Sequence, residues 1–141
     1  MSKKKIVIFG PIGDFGGRDV EVNIIAKALE NDFDVIILSS AYMTMHSFAI
    51  KGTKKTNWNC ISKTLFDKNL VLKLLSKFSK LKSKGKKLDY FYCNNLLSKK
   101  IFNYDKLQLQ IVENEIREAC LVLCCVQLTT QFLPEVVNFC K

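Results

Sequence analysis

Four of the chain's six glycines, Gly10, Gly13, Gly16 and Gly17, fall inside the stretch "GPIGDFGG". Without a Cβ, glycine lets the backbone approach a ligand closely. A helix starting just beyond such a loop also offers N–H groups and a positive dipole end to an anionic oxygen. Gly13, Gly16, Gly17 and the adjoining Arg18 are therefore candidate substrate-binding residues, against the plainer reading that Gly-Pro and Gly-Gly only make a turn. Asp19 follows, either contacting a ligand with Arg18 or acting only as a favourable charge at a helix N-terminus. The only histidine, His46 in "AYMTMHSFAI", is the one catalytic candidate; the alternative is an ordinary surface residue.

Two familiar phosphate-binding signatures are absent. G-x-G-x-x-G needs its first two glycines two positions apart, whereas Gly10 and Gly13 are three apart. The P-loop needs Gly-Lys-Ser/Thr, whereas Gly17 precedes Arg18 and Asp19. The six cysteines (Cys60, Cys93, Cys120, Cys124, Cys125, Cys140) contain no C-x-x-C pair, so no metal site is assigned and reduced, mostly buried thiols are expected.

The elements that must position these residues follow from hydrophobic period. "KIVIFG" (Lys5 to Gly10) reads as a buried strand. From Gly17, Val20, Ile24 and Ala28 with Ile25 and Leu29 recur at helical spacing over about 14 residues. "FDVIILSS" (Phe33 to Ser40) is a second strand, which makes a βαβ unit and implies a parallel sheet. Ala41 to Ser62 shows no period and is read as irregular. A helix is expected from Asp67 to about Lys82, a third strand in "LDYFYCN" (Leu88 to Asn94), and a helix from Tyr104 to Ala119. "CLVLCC" is the fourth strand, over Leu121–Cys125, and "QFLPEVVNFCK" a closing helix with Pro134 in its first turn. The alternation predicts an α/β, Rossmann-like, doubly wound parallel sheet in a single domain, 1–141.

Composition sets the partners. The 141 residues, 48% hydrophobic and 25% charged, suit one folded domain rather than a disordered chain. The longest apolar run, "CLVLCCV", is too short to span a bilayer, and no secretory signal is recognised at the N-terminus, so a cytoplasmic location is expected. Net charge is +9, and Lys68–Lys87 alone holds eight lysines with no acid. That segment is either the solvated face of a docked helix or a patch for an anionic membrane. Nucleic acid is not expected, because Phe78 is its sole aromatic for base stacking.

The order of these features resembles the N-terminal domain of GT-B fold glycosyltransferases of the retaining, family 4 type. The resemblance rests on Gly16-Gly17, then "IIAKAL" (Ile24 to Leu29), then "FDVIILSS". "REACLVLCCVQLTTQFLPEV" (Arg117 to Val136) is similar to a later helix–strand–helix stretch, although Cys120 follows Ala119 where the family often has aspartate. Asp89 fits the aspartate that commonly precedes a family strand. The resemblance implies hexosyl transfer from a nucleotide-sugar to a glycan or lipid-linked acceptor, with no cofactor and no metal. It also implies a partner that these residues do not supply, a C-terminal donor-binding domain, so that the fragment alone is inactive. A place on the inner face of the membrane would follow. The competing reading is a free-standing α/β module that binds a nucleotide or phosphorylated ligand.

Overall fold

A computed structural model describes residues 3–68, 70–74, 103–127 and 130–140. β1 (Lys5–Gly10) leads into α1 (Gly17–Leu29) and β2 (Asp34–Ser39). A short 3₁₀ turn (Phe48–Ile50) precedes β3 (Asn57–Cys60) and α2 (Ile61–Lys68). α3 (Tyr104–Ile116), β4 (Leu121–Cys124) and α4 (Leu133–Phe139) complete the described elements. The four strands form one sheet in the order β3-β2-β1-β4, parallel at every pairing.

β1 is central, and its β-branched and aromatic residues alternate between two cores. Ile8 joins Val35 and Ile37 of β2 beneath Val22 and Ala26 of α1, with Met43 and Ala49 completing that face. Val7 and Phe9 face the other way, against Ile61 of α2, Val112 and Ile116 of α3, and Val136 of α4. Helices on both faces make the fold the expected Rossmann-like α/β arrangement. The chain runs outward from β1 through β2 to β3, then crosses back to place β4 on the opposite side of β1. Open α/β sheets hold their ligands at such a reversal, here at the carboxyl ends of β1 and β4, and the crevice expected at that place is the candidate site.

Three expectations need correction. The segment 41–62 is not irregular: it holds the 3₁₀ turn, β3 and the start of α2. β3 escaped notice because "NWNC" spans only four residues at a sheet edge, and two of them are asparagines. Asn59 is polar for a reason: its amide donates to Glu115 of α3 at 3.2 Å, while Lys5 pairs with the same carboxylate at 3.1 Å. Second, Val20, Ile24 and Ala28 do not form the buried face of α1, which turns Asp19, Val22 and Ala26 inward and leaves all three exposed. Third, among the described cysteines only Cys60 is buried; Cys120, Cys124 and Cys140 are exposed.

The remaining helices agree with the periodicity. α1 starts at Gly17, α3 starts at Tyr104 behind the side-chain cap of Asn103, and Pro134 lies in the first turn of α4. α2 begins earlier than expected, at Ile61, and residues 70–74 are also helical. The expected strand at Asp89–Cys93 and most of the lysine-rich stretch lie outside the described residues. Within that stretch Lys73 is 3.6 Å from Asp67, just ahead of it in the chain.

Candidate functional site

The four loop glycines divide into different physical roles. At Gly10, the last residue of β1, a Cβ would stand 2.3 Å from the carbonyl oxygen of Cys125. Cys125 extends the pairing of β4 by donating its N–H to Phe9 at 2.9 Å, so only glycine permits this approach of two backbones. Gly10 is thus a folding residue. At Gly17, the first residue of α1, a Cβ would meet nothing within 4 Å among the described residues. None of them gives a steric need for glycine there. Gly16 is extended at φ 165°, and a Cβ would meet the Asp19 carboxylate at 3.3 Å; Gly13 has ordinary space.

Asp19 is only 3% exposed, and its Oδ1 accepts the Gly13 N–H at 2.9 Å. That bond closes the loop over the first turn of α1 and sets a negative charge at the positive end of the helix. Asp19 is therefore a structural latch, and one loop N–H is already committed to it. No side chain caps α1, so its opening N–H groups stay directed out of the loop. Arg18 is half-buried, with its Nη1 3.4 Å from the Pro11 carbonyl.

A second loop, after β2, is tied to the first. Asp14 accepts the Thr44 N–H at 2.7 Å and the Thr44 hydroxyl at 3.0 Å, and its carbonyl accepts the Phe48 N–H at 3.0 Å. The Ser47 hydroxyl donates to the Gly13 carbonyl at 2.5 Å and accepts from the Ala49 N–H. Buried Ser39 places its hydroxyl 2.6 Å from the Ile12 carbonyl. Asn23 of α1 donates to the carbonyls of Ala49 and Lys51 at 3.1 and 3.0 Å. His46 rides on this framework, exposed, with its own N–H given to Thr44. Among the described residues its imidazole meets no hydrogen-bond or ion-pair partner, so no orienting acid prepares it as a base.

The β4 side of the crevice adds residues that sequence reasoning missed. Burial pushes the Cys125 thiol above its ordinary value, the Glu21 and Cys124 charges add to this, and Arg18 opposes it. Cys124 is raised as well, by burial first and then by Cys140. A raised thiol pKa lowers the thiolate fraction, the reactive form of cysteine. Beyond them Gln127 and Thr130 close a turn, with the Gln127 N–H on the Thr130 hydroxyl at 2.9 Å. Phe132 then takes a left-handed backbone at φ 65°, alone among the described non-glycine residues. The signal for these residues was positional: they follow a strand whose carboxyl end borders β1, a neighbour known only once the sheet order is known.

The fold therefore gathers Gly13, Gly16, Gly17 and Arg18 at one edge of the crevice, with the His46 loop stitched beside them. Cys125 and Thr130 follow the end of β4. No group of three or more His, Cys, Asp or Glu side chains among the described residues is arranged to hold a metal ion. Among the described residues the assembly consists of backbone groups and polar side chains joined by hydrogen bonds. Comparison with family models, curated proteins and solved structures finds no match to the chain.

Proposed function

We propose that the chain is the N-terminal, acceptor-side domain of a GT-B-type glycosyltransferase that transfers a hexose from a nucleotide-sugar to a glycan or lipid-linked acceptor. The observation that carries this reading is the contrast between Gly10 and Gly17. Gly10 is required by the meeting of β1 and β4, whereas Gly17 opens on empty space at the mouth of the crevice. A glycine with no internal reason to be one is explained by a ligand or second domain that approaches from outside. Gly13, Gly16, Gly17 and Arg18 line that approach, and the reaction needs no cofactor beyond the nucleotide-sugar.

The alternative, a free-standing module for a nucleotide or phosphorylated ligand, is less well supported. Such a ligand would bring phosphate charge against the buried Asp19 carboxylate, which already holds the Gly13 N–H. A neutral sugar hydroxyl meets no such repulsion.

The test is enzymatic. Residues 1–141 alone, given a panel of nucleotide-sugars, should show no turnover above buffer. The polypeptide encoded by the uninterrupted reading frame around them should transfer hexose. Robust transfer by residues 1–141, or none by the longer polypeptide with any donor, overturns the reading.

A further inference from the structure

The glycine loop and the loop after β2 set aromatic rings and polar groups side by side on one rim. Phe15, between Asp14 and Gly16, is 74% exposed. Its ring meets that of Phe48 edge to face, with centroids 5.4 Å apart and planes at 81°. Both rings stand on a braced base. Asp14 accepts from the Thr44 N–H and hydroxyl, its carbonyl accepts the Phe48 N–H at 3.0 Å, and Ser47 donates to the Gly13 carbonyl. Such bracing removes the ordering cost that a loose loop would impose on a ligand.

The surroundings indicate which kind of ligand. The exposed apolar residues Phe15, Met45 and Phe48 alternate along the chain with Asp14, Thr44, His46 and Ser47. The surface is chequered, unlike the continuous apolar stripe that a partner helix or an acyl boundary takes. Lys51 lies 5.1 Å from the centroid of the Phe48 ring, so Phe15 is the ring that offers an open face. Hydrogen-bonding groups come from both loops and from α1. The His46 side chain is exposed, the opening N–H groups of α1 are uncapped, and Glu21 is an exposed carboxylate one turn along α1 from Gly17. From Pro11 to Glu21 the chain carries Asp14, Asp19 and Glu21 against Arg18 alone, a balance that opposes phosphate. A neutral molecule with one apolar face and a rim of hydroxyls fits these groups. A pyranose ring is such a molecule: its axial C–H bonds lie against an aromatic face while its hydroxyls bond polar neighbours.

We propose that Phe15, steadied by Phe48, is a stacking platform for a pyranose ring of the acceptor, with His46 and Glu21 bonding its hydroxyls. The acceptor is then a glycan recognised through its sugar ring, and His46 holds the sugar instead of acting as a base. This inference rests on reading the chain as an acceptor-side domain and adds the residue that selects a sugar.

The test is binding of maltose, cellobiose, lactose and mannobiose to the chain by saturation-transfer NMR and titration, with adenosine and uridine monophosphate as competing stackers. At least one disaccharide should bind, with saturation strongest at the C–H protons of one ring face. Phe15 is exposed, so its replacement spares the core. Phe15→Ala should weaken binding about tenfold or more, the scale of losing one stacked ring. Phe15→Leu, which keeps apolar bulk without an aromatic face, should weaken it as much. Phe15→Trp should restore binding, with an emission change on sugar addition that the wild type, whose one tryptophan is Trp58 on β3, does not show. Val137→Ala, an exposed apolar change on α4, should have no effect. The proposal is overturned if no disaccharide binds, if Phe15→Ala leaves binding unmoved, or if Phe15→Leu binds fully. Phe15-dependent binding of the nucleotides without the sugars overturns it too, and makes the ring a base platform. The platform and the transferase reading fail separately. Phe15-dependent sugar binding without hexosyl transfer by the longer polypeptide keeps the platform and removes the transferase. Transfer whose acceptor KM is unmoved by Phe15→Ala keeps the transferase and overturns the platform.

Discussion

Alanine substitutions at Gly10 and Gly17 should have opposite effects on stability, although the residues share a loop. At Gly10 the new Cβ would lie 2.3 Å from the Cys125 carbonyl oxygen and 3.1 Å from its carbon, both backbone atoms that no rotamer change can move aside. β4 must separate from β1, which strains the 2.9 Å bond from the Cys125 N–H to Phe9. Overpacking of this kind costs about 1–3 kcal/mol, and a lost hydrogen bond adds about 1 kcal/mol. At roughly 2–4 °C per kcal/mol for a domain of this size, the melting temperature should fall by about 5–15 °C. At Gly17 the Cβ meets nothing and the backbone is already helical, so alanine only narrows the unfolded ensemble. The expected gain is about 0.4–1 kcal/mol, or a rise of about 1–4 °C. Thermal melts followed by circular dichroism measure both. A Gly17→Ala loss comparable to that of Gly10→Ala would refute the division between folding and ligand-facing glycines.

Asp14→Ala should loosen the braced loops, because it removes the acceptors of both the Thr44 N–H and the Thr44 hydroxyl; about 1–3 kcal/mol is at stake. Amide hydrogen exchange at Thr44 and Phe48 should quicken while β1 and β2 stay protected. Glu30 accepts the N–H groups of Lys55 and Lys54 at 2.9 Å each and the Thr56 hydroxyl at 3.1 Å. Led by the Lys55 bond, these hold its carboxyl below the ordinary 4.5, against the opposing effect of burial. Its stabilisation is therefore complete above pH 4.5 and is lost as pH falls through the lower folded-state value. Urea melts at falling pH should show that loss in the wild type and a weaker one in Glu30→Gln. Cys124, although exposed, should be alkylated slowly at neutral pH, at a rate that climbs with pH and is still climbing past the ordinary thiol value of 9.0, as mapped by mass spectrometry; a rate that levels off below 9.0 would contradict the raised thiol.

How much of this was legible in the sequence depends on the physical signal each residue carries. β1 and β2 are buried on both faces, so "KIVIFG" and "DVIILS" announce themselves as continuous apolar runs. α1 gave its start at Gly17, but its wide apolar pattern fitted more than one face. Only packing chose the side of Val22 and Ala26 and stranded Ile24 in solvent. β3 could not be seen because its polarity answers a partner 56 residues away, Glu115, and edge strands need little hydrophobicity. The site divides in the same way. Gly13, Gly16, Gly17 and Arg18 lie within six residues and stood out by composition. The latch of Asp19 on Gly13 forms only once the loop folds onto α1, and Cys125 comes beside β1 only after β4 pairs with it.

The central claim is that Gly17 serves a ligand rather than the fold, and the most direct measurement is hexosyl transfer by the full reading-frame polypeptide carrying Gly17→Val. A Cβ at that position meets no neighbour among the described residues, so branched bulk there would project toward the proposed ligand. The account predicts a fall in transfer rate on the order of a hundredfold, the scale set by displacing a bound reactant by about 1 Å, with the melting temperature unchanged. Transfer at the wild-type rate with an unchanged melting temperature would contradict it and leave the loop as no more than a turn.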